Sequence, residues 1–447
     1  MSHPTRHQPQ WRPSWALLLF LIAVICSTHP SHAATYEIPV SKQAEAPAAT
    51  TDANSEGNRI FSSKYLGNSV VTNQKNLGYA GIITLGNPPQ SFTVVFDTGS
   101  DMIVVTSDQC QGLHCNDMPH YTCTSCTRTP YSYNITYGDG TWGAGPIVAD
   151  TVSIGGLVIH DQQILDVTRS GLDMSTYGPG IAGLVGLMPS SPVRNAVPPL
   201  ATIFKDKLLD MNVFSVYLTS SLESKQGGSF LFGGIDHTKY LGELNYVPIS
   251  SGINVKPGMW YIDAEAAHTG NVPVAGYTKA PWLFDTGTSF IAVPTAFAKA
   301  FHDNIPGANF TSTNKYYTLP CTGNYTFSLT FNNVTYEVPY LDYIASLNKE
   351  KTLCASLVMP LGNYEMYILG DPFLRQVYTV YDFTPASSRI GLAKVIATPG
   401  SLGEEGLSGN PVPGGETIVP LRSHGRRLES GVTGLLFLCT LMAMVAM

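Results

Sequence analysis

The sequence predicts a mainly β protein made of two β-rich lobes, related by a pseudo-twofold axis and separated by a cleft. Three observations point there. The 447 residues hold 42 Gly, 31 Pro and 23 Tyr but only 13% charged residues, a composition that favours turns and strands over helical bundles. From Tyr79 onward the chain reads as short β-type runs, YAGIITLG, SFTVVF, MIVV and YSYNITYG, broken by turn signals such as Gly86-Asn87-Pro88-Pro89 and Gly155-Gly156. Finally, Val94-Val95-Phe96-Asp97-Thr98-Gly99-Ser100 is echoed by Trp282-Leu283-Phe284-Asp285-Thr286-Gly287-Thr288, 285 − 97 = 188 residues later. A single long-period echo indicates a duplicated domain rather than a solenoid.

At the N-terminus, Arg6 and Arg12 precede the apolar run Ala16–Cys26, and Ser31-His32-Ala33 supplies small residues after it. This is the order of a secretory signal peptide cleaved after Ala33; the alternative is a membrane anchor, for which the run is short. Residues 34–77 carry little apolar periodicity and read as a pro-segment or linker. The first lobe is expected over 78–245 and the second over 246–397. Helical spacing appears at Leu200, Ile203, Phe204 and Leu208 within 198–209, and at Phe297, Phe301 and Ile305 within 294–305. Residues 398–430 read as a flexible stalk. The closing stretch 431–447 contains the uncharged run Leu435–Met447, preceded by a polar spacer and by the small residues Ser423 and Gly425. That order suggests a GPI-attachment signal; the alternative is a retained membrane span.

A secretory route agrees with four N-x-[ST] triplets, at Asn134, Asn309, Asn324 and Asn333, which predict glycan-bearing surface loops or turns. Six cysteines remain between the end segments: Cys110, Cys115, Cys123, Cys126, Cys321 and Cys354. Their proximity suggests a knot among the first four and a separate Cys321–Cys354 bridge, with the pairing inside the knot open. A four-cysteine zinc site flanked by His114 and His120 is the rival reading, disfavoured in an oxidising compartment. A net charge of −7 argues against a nucleic-acid binder. Gly138-Asp139-Gly140-Thr141-Trp142-Gly143 fits GxGxxG, but Gly145-Pro146 follows where a helix would have to begin, so it is not a dinucleotide site.

The repeated segment carries the chemistry. An Asp closing an apolar strand and followed by Thr-Gly sits on a tight turn, where the glycine N–H can reach its carboxylate. Ser100 and Thr288 can add a hydroxyl donor. Two such turns facing each other would bring Asp97 and Asp285 too close for both to ionise, so one proton is shared. One member can then act as base on a water while the other protonates a carbonyl oxygen. No metal, cofactor or covalent nucleophile is required. A lone Asp-Thr-Gly arises by chance in roughly one chain of this length in ten at average usage. The paired motifs, each followed by an apolar-apolar-Gly element at Gly183-Leu184-Val185-Gly186 and Ile368-Leu369-Gly370-Asp371, are far rarer.

On these residues the chain resembles the pepsin-like aspartic proteases in their bilobal, single-chain form, from about Tyr79 to Val395. Tyr137-Gly138-Asp139-Gly140-Thr141 is similar to the family's flap, in which the Tyr closes over substrate. The stretches Phe214–Leu218, Phe232–Asp236 and Ile368–Arg375 also match, and Cys110–Cys115 and Cys321–Cys354 fit two family disulfides by position. The resemblance implies a monomeric endopeptidase acting on extended peptides, with an acidic optimum and sensitivity to pepstatin-type inhibitors. In it Asp97 and Asp285 are catalytic, supported by Thr98, Gly99, Ser100, Thr286, Gly287 and Thr288, with Tyr137, Gly138 and Asp139 on the flap. Val104 stands where the family usually has a Trp, and Cys123 and Cys126 lie in an insertion. Lys64-Tyr65 weakly resembles the pair by which family pro-segments plug the dyad. The alternative function is an inactive cell-surface peptide-binding or adhesion protein on the same fold; the retained Asp97, Asp285 and Tyr137 argue for the enzyme.

Overall fold

The computed structural model describes residues 67–73 and 78–396, apart from 113–114, 138–140, 172–173, 175–179, 192–194, 221–225, 252–254, 256–257 and 386. The expected signal peptide, stalk and C-terminal tail lie outside the described residues. Among the described residues no helix is long and apolar enough to cross a membrane.

The described residues are mostly strand, as the composition predicts. The largest element is a 13-stranded sheet. One end belongs to the first half: Tyr79–Leu85 pairs antiparallel with Gln90–Asp97, which runs parallel to Ile181–Gly186. Ile181–Gly186 pairs antiparallel with Ile103–Gly112, which is in turn parallel to Leu157–Ser170. The second half repeats this order in a separate five-stranded sheet. Tyr261–Ala264 pairs antiparallel with Ala280–Phe284, which is parallel to Tyr367–Leu369. Tyr367–Leu369 is antiparallel to Ile291–Val293, which is parallel to Val358–Pro360. The duplication read from the two motifs is therefore a duplication of strand topology, and each Asp ends the equivalent strand.

The other end of the large sheet is common to both halves. Val213–Leu218 pairs on one side with Gln226–Phe232 and on the other with Val377–Asp382, followed by Arg389–Val395 and Tyr240–Pro248. The boundary expected at 245/246 thus falls inside a strand. Gly67–Asn73 also joins this sheet, paired to Gln226–Phe232 and to Tyr79–Leu85. The last part of the stretch 34–77, read as pro-segment or linker, is thus strand, in keeping with the β-branched Val70-Val71-Thr72.

Aromatic side chains fill the space between the halves. Phe214 stacks on Tyr381 with centroids 4.5 Å apart, and Trp260 meets Tyr381 edge-on at 5.0 Å. Trp260 also donates its indole N–H to the Leu187 carbonyl at 2.9 Å, so the burial of this large ring leaves no polar atom unpaired. The two expected helices form at Pro199–Lys205 and Thr295–His302. The first is shorter than its apolar pattern because Lys207 takes a positive φ of 51° and turns the chain away.

Candidate active site

Each Asp is placed by the same local device. Asp97 ends Gln90–Asp97 and Asp285 follows Ala280–Phe284, so both carboxyls emerge where strand gives way to turn. The Gly99 N–H donates to Asp97 Oδ1 at 2.7 Å, and the Gly287 N–H donates to Asp285 Oδ1 at 2.7 Å. The downstream glycines explain themselves by contact. A side chain at Gly186 would come within 2.5 Å of the Met102 nitrogen, and one at Gly370 within 1.9 Å of the Thr288 carbonyl oxygen. Only glycine lets those strands lie against the two turns.

The turns clasp each other reciprocally. Thr98 Oγ1 donates to the Phe284 carbonyl at 2.7 Å and accepts from the Thr286 N–H at 2.9 Å. Thr286 Oγ1 donates to the Phe96 carbonyl at 3.0 Å and accepts from the Thr98 N–H at 3.1 Å. These buried bonds fix the facing of the two carboxyls. A side chain at Gly99 would lie 2.7 Å from Asp285 Cγ, which shows how tightly one turn faces the other's carboxyl.

The two sides differ in one detail. Thr288 Oγ1 donates to Asp285 Oδ2 at 2.8 Å, as expected. The matching contact from Ser100 is weaker: Ser100 Oγ and Asp97 Oδ2 are buried short of full hydrogen-bond geometry, yet Ser100 still pulls the Asp97 pKa down. A serine hydroxyl lacks the branch that holds threonine in few rotamers.

Electrostatics follow from burial. Asp97 is 0% exposed and Asp285 1%. Loss of water raises the pKa of Asp97 well above the carboxylate range, and the charge of Asp285 raises it further. Burial also raises Asp285, against hydrogen bonds from Asp97, Thr288 and the Gly287 and Gly99 N–H groups that pull it down. The more strongly stabilised anion is Asp285, so the shared proton favours Asp97. One acid and one base, buried side by side, can exchange protons with a polar bond between them.

Thr127–Thr136 and Trp142–Ile154 form an antiparallel hairpin, closed where the Tyr137 N–H donates to the Thr141 carbonyl at 2.8 Å. Gly138 and Asp139 lie outside the described residues. Tyr137 is buried in a cluster with Met102, Val104, Ile135, Leu165 and Leu184, so Val104 packs in the same cluster as Tyr137. Cysteines pair as Cys110–Cys115, Cys123–Cys126 and Cys321–Cys354. The open question inside the knot is thus answered by two short bridges, not a zinc cluster. His120 instead bonds the Cys115 carbonyl at 2.7 Å. The four sequon asparagines are all exposed; Asn134 and Asn309 lie on strands rather than in loops or turns, and Asn333 sits in a hairpin turn with φ 63°.

Sequence reading did not single out Asp371 or Arg375, both buried, Asp371 within reach of the Asp285 charge and Arg375 within reach of Asp371. Burial raises Asp371 well above its ordinary range, with Arg375 opposing and the Asp285 charge adding to the rise. Their signal was the Gly370-Asp371-Pro372-Phe373-Leu374-Arg375 stretch, matched only as a whole.

A duplicated β fold presenting two clasped Asp-Thr-Gly turns defines the aspartic proteases, and a family model described as eukaryotic aspartyl protease matches residues 78–395. The chain belongs to this family. It is 33% identical over 334 residues to pepsin II-1 of Oryctolagus cuniculus, covering 70% of this chain and 80% of the relative. Against pepsin A of Sus scrofa the identity is 32% over 344 residues, covering 74% and 84%. Pregnancy-associated glycoprotein 1 of Bos taurus is 33% identical over 335 residues, covering 72% and 83%.

Proposed function

We propose that this chain is an aspartic endopeptidase that hydrolyses extended peptides with a water activated between Asp97 and Asp285. The observation that carries the reading is the pair itself: two buried carboxyls, from topologically equivalent turns, clasped through Thr98 and Thr286, an arrangement that favours one shared proton. In the reaction, the carboxylate takes a proton from water as its oxygen bonds the peptide carbonyl carbon. The carboxylic acid gives its proton to the carbonyl oxygen. The tetrahedral species then collapses: as the C–N bond breaks, the amine takes a proton from the pair and one hydroxyl of the tetrahedral carbon gives its proton back to the pair, which returns to its single-proton state. Raised pKa values keep that one proton in place under acidic conditions, and raising the pH past them removes it, so activity is expected on the acid side. Tyr137 and the hairpin it closes would cover the peptide, and pepstatin-type mimics of the tetrahedral species would bind tightly.

Secretion is supported by residues 1–33, the sequons and the three disulfides, and lipid attachment by the order of small site, spacer and apolar tail before Met447. The protein is taken to act as a monomer. Cleavage of a peptide library by the activated full chain, from acidic to neutral pH, tests the function. Asp97→Asn and Asp285→Asn are each expected to abolish pepstatin-sensitive cleavage while melting as the parent does. Full activity in either variant overturns the mechanism, and a folded parent that binds peptides without cleaving them makes it a binding protein. Release from membranes by a phosphatidylinositol-specific phospholipase tests the anchor.

A further inference from the structure

The hairpin that carries Tyr137 is rooted in a short loop that the mechanism does not use. Thr127–Thr136 begins immediately after Cys126, and the Cys123–Cys126 bridge closes the loop just before it. Thr122 and Gln90 bond reciprocally: the Thr122 N–H donates to Gln90 Oε1 at 2.9 Å, and Gln90 Nε2 donates to the Thr122 carbonyl at 2.7 Å. Gln90 opens the strand that ends at Asp97. The Ser125 hydroxyl is shared between both Asp150 oxygens, at 2.9 and 3.1 Å, and accepts from the Asn87 N–H at 2.7 Å. Asp150 lies on Trp142–Ile154, the returning strand of the hairpin, one residue past the Thr127–Ala149 pair. It is 6% exposed and also accepts from the Tyr121 hydroxyl at 2.6 Å. The fit is close: a Cβ on Gly86 would lie 3.1 Å from Asp150 Oδ2 and 3.2 Å from Ser125 Oγ.

Both strands of the hairpin are thus pinned at one end to the strand that delivers Asp97. A strand of ten residues is about 33 Å long, so a small tilt at the root becomes a large displacement near Tyr137. The bridge that shapes the root is also the accessible one. Cys123 and Cys126 are both partly exposed, whereas Cys110–Cys115 and Cys321–Cys354 each contain one buried cysteine. Its sequence separation is 3, against 33 for Cys321–Cys354, so it closes little chain entropy. Opening it loosens the loop and leaves the global fold nearly as stable.

We propose that Cys123–Cys126 is a thiol-opened latch on the hairpin. Closed, it holds Thr122 and Ser125 against Gln90 and Asp150. Open, it frees the root, and a peptide is held less well beneath Tyr137. The co-reactant is a dithiol. One of its thiolates attacks a bridge sulfur, the S–S bond breaks, and the second dithiol sulfur then displaces the remaining cysteine. The dithiol is oxidised to its own disulfide, two electrons pass to the bridge, and Cys123 and Cys126 end as thiols carrying the two protons. The latch touches no reacting atom of peptide hydrolysis, so KM takes the effect and kcat does not. The proposal rests on the reading of this hairpin as the lid of a peptide cleft.

The probe is limiting dithiothreitol on the full chain, followed by iodoacetamide and peptide mapping. Cys123 and Cys126 are expected to be alkylated at least about tenfold faster than Cys110, Cys115, Cys321 and Cys354. A variant carrying both Cys123→Ser and Cys126→Ser should melt as the parent does. In amide hydrogen exchange it should speed the 127–136 strand about tenfold and leave the core strand 213–218 unchanged. In peptide cleavage it should raise KM about five- to tenfold, keep kcat within about twofold, and no longer respond to limiting dithiothreitol. Ser125→Ala, with the bridge intact, should speed exchange of the same strand. If the double variant does not fold, the dithiol-opened, alkylated parent takes its place in both readings. Bridges that open together, a silent Ser125→Ala, or exchange that rises equally in both strands overturns the proposal. Mapping and exchange stand without cleavage: a parent that cuts no peptide refutes the enzyme reading, whereas an unmoved 127–136 strand refutes the latch.

Discussion

Replacing Gly99 with alanine probes how closely the two turns must face each other. The backbone tolerates the change, because Gly99 is not among the residues with positive φ. The obstacle is the opposite carboxyl: the new methyl would sit 2.7 Å from Asp285 Cγ and Oδ1 and 2.8 Å from Oδ2. Ordinary carbon contacts lie near ~3.5–4.0 Å, so the pair must separate by roughly 1 Å. A misplacement of that size costs on the order of 10²-fold in rate, about 2.7 kcal/mol of transition-state stabilisation. Separation also weakens the mutual repulsion that helps raise Asp97, so the alkaline limb of the pH profile should move to lower pH. The assay is kcat/KM of purified Gly99→Ala across pH, beside a thermal melt. Activity within threefold of the parent, with an unmoved pH profile, would refute the facing geometry.

Two further predictions concern stability. His302 is 2% exposed, bonded to the Ala298 carbonyl and Ser356 Oγ, and burial lowers its pKa from 6.5 to about 4. The unfolded chain takes up this proton first, so the histidine destabilises the fold as pH falls from 6.5 to about 4, by up to about 3 kcal/mol, and adds nothing above 6.5. His302→Gln should flatten the acid side of a chemical-denaturation profile; a parallel profile would contradict the sign. Paired Cys321→Ser and Cys354→Ser substitutions open a bridge with a sequence separation of 33. Loop-closure entropy puts the loss at about 3–4 kcal/mol, readable as a lower denaturant midpoint at unchanged slope, and a loss below about 1 kcal/mol would show that the bridge constrains little.

The candidate site was legible because its parts are local. Phe-Asp-Thr-Gly sets strand, acid, clasp and turn within four residues, and it occurs twice. Helix positions were legible for the same reason, though not the early end imposed by Lys207. Long-range pairing was not. Nothing near Val213–Leu218 indicates that it will lie beside Val377–Asp382, because a strand's hydrophobic alternation specifies a face and not a partner. Gly67–Asn73 escaped notice because only Val70-Val71-Thr72 marks it. The two short disulfides needed geometry, since four cysteines within Cys110–Cys126 allow several pairings.

The sheet that joins both halves constrains how the molecule can be made. One of its strands, Val213–Leu218, is hydrogen-bonded on one flank by Val377–Asp382, among the last of the described residues. A nascent polypeptide that has emerged only through the first half therefore carries an open strand edge, with Phe214 still lacking Tyr381 as its stacking partner. Synthesis of nearly the whole protein must finish before that edge closes. Until then it is a natural binding place for chaperones and a hazard for self-association.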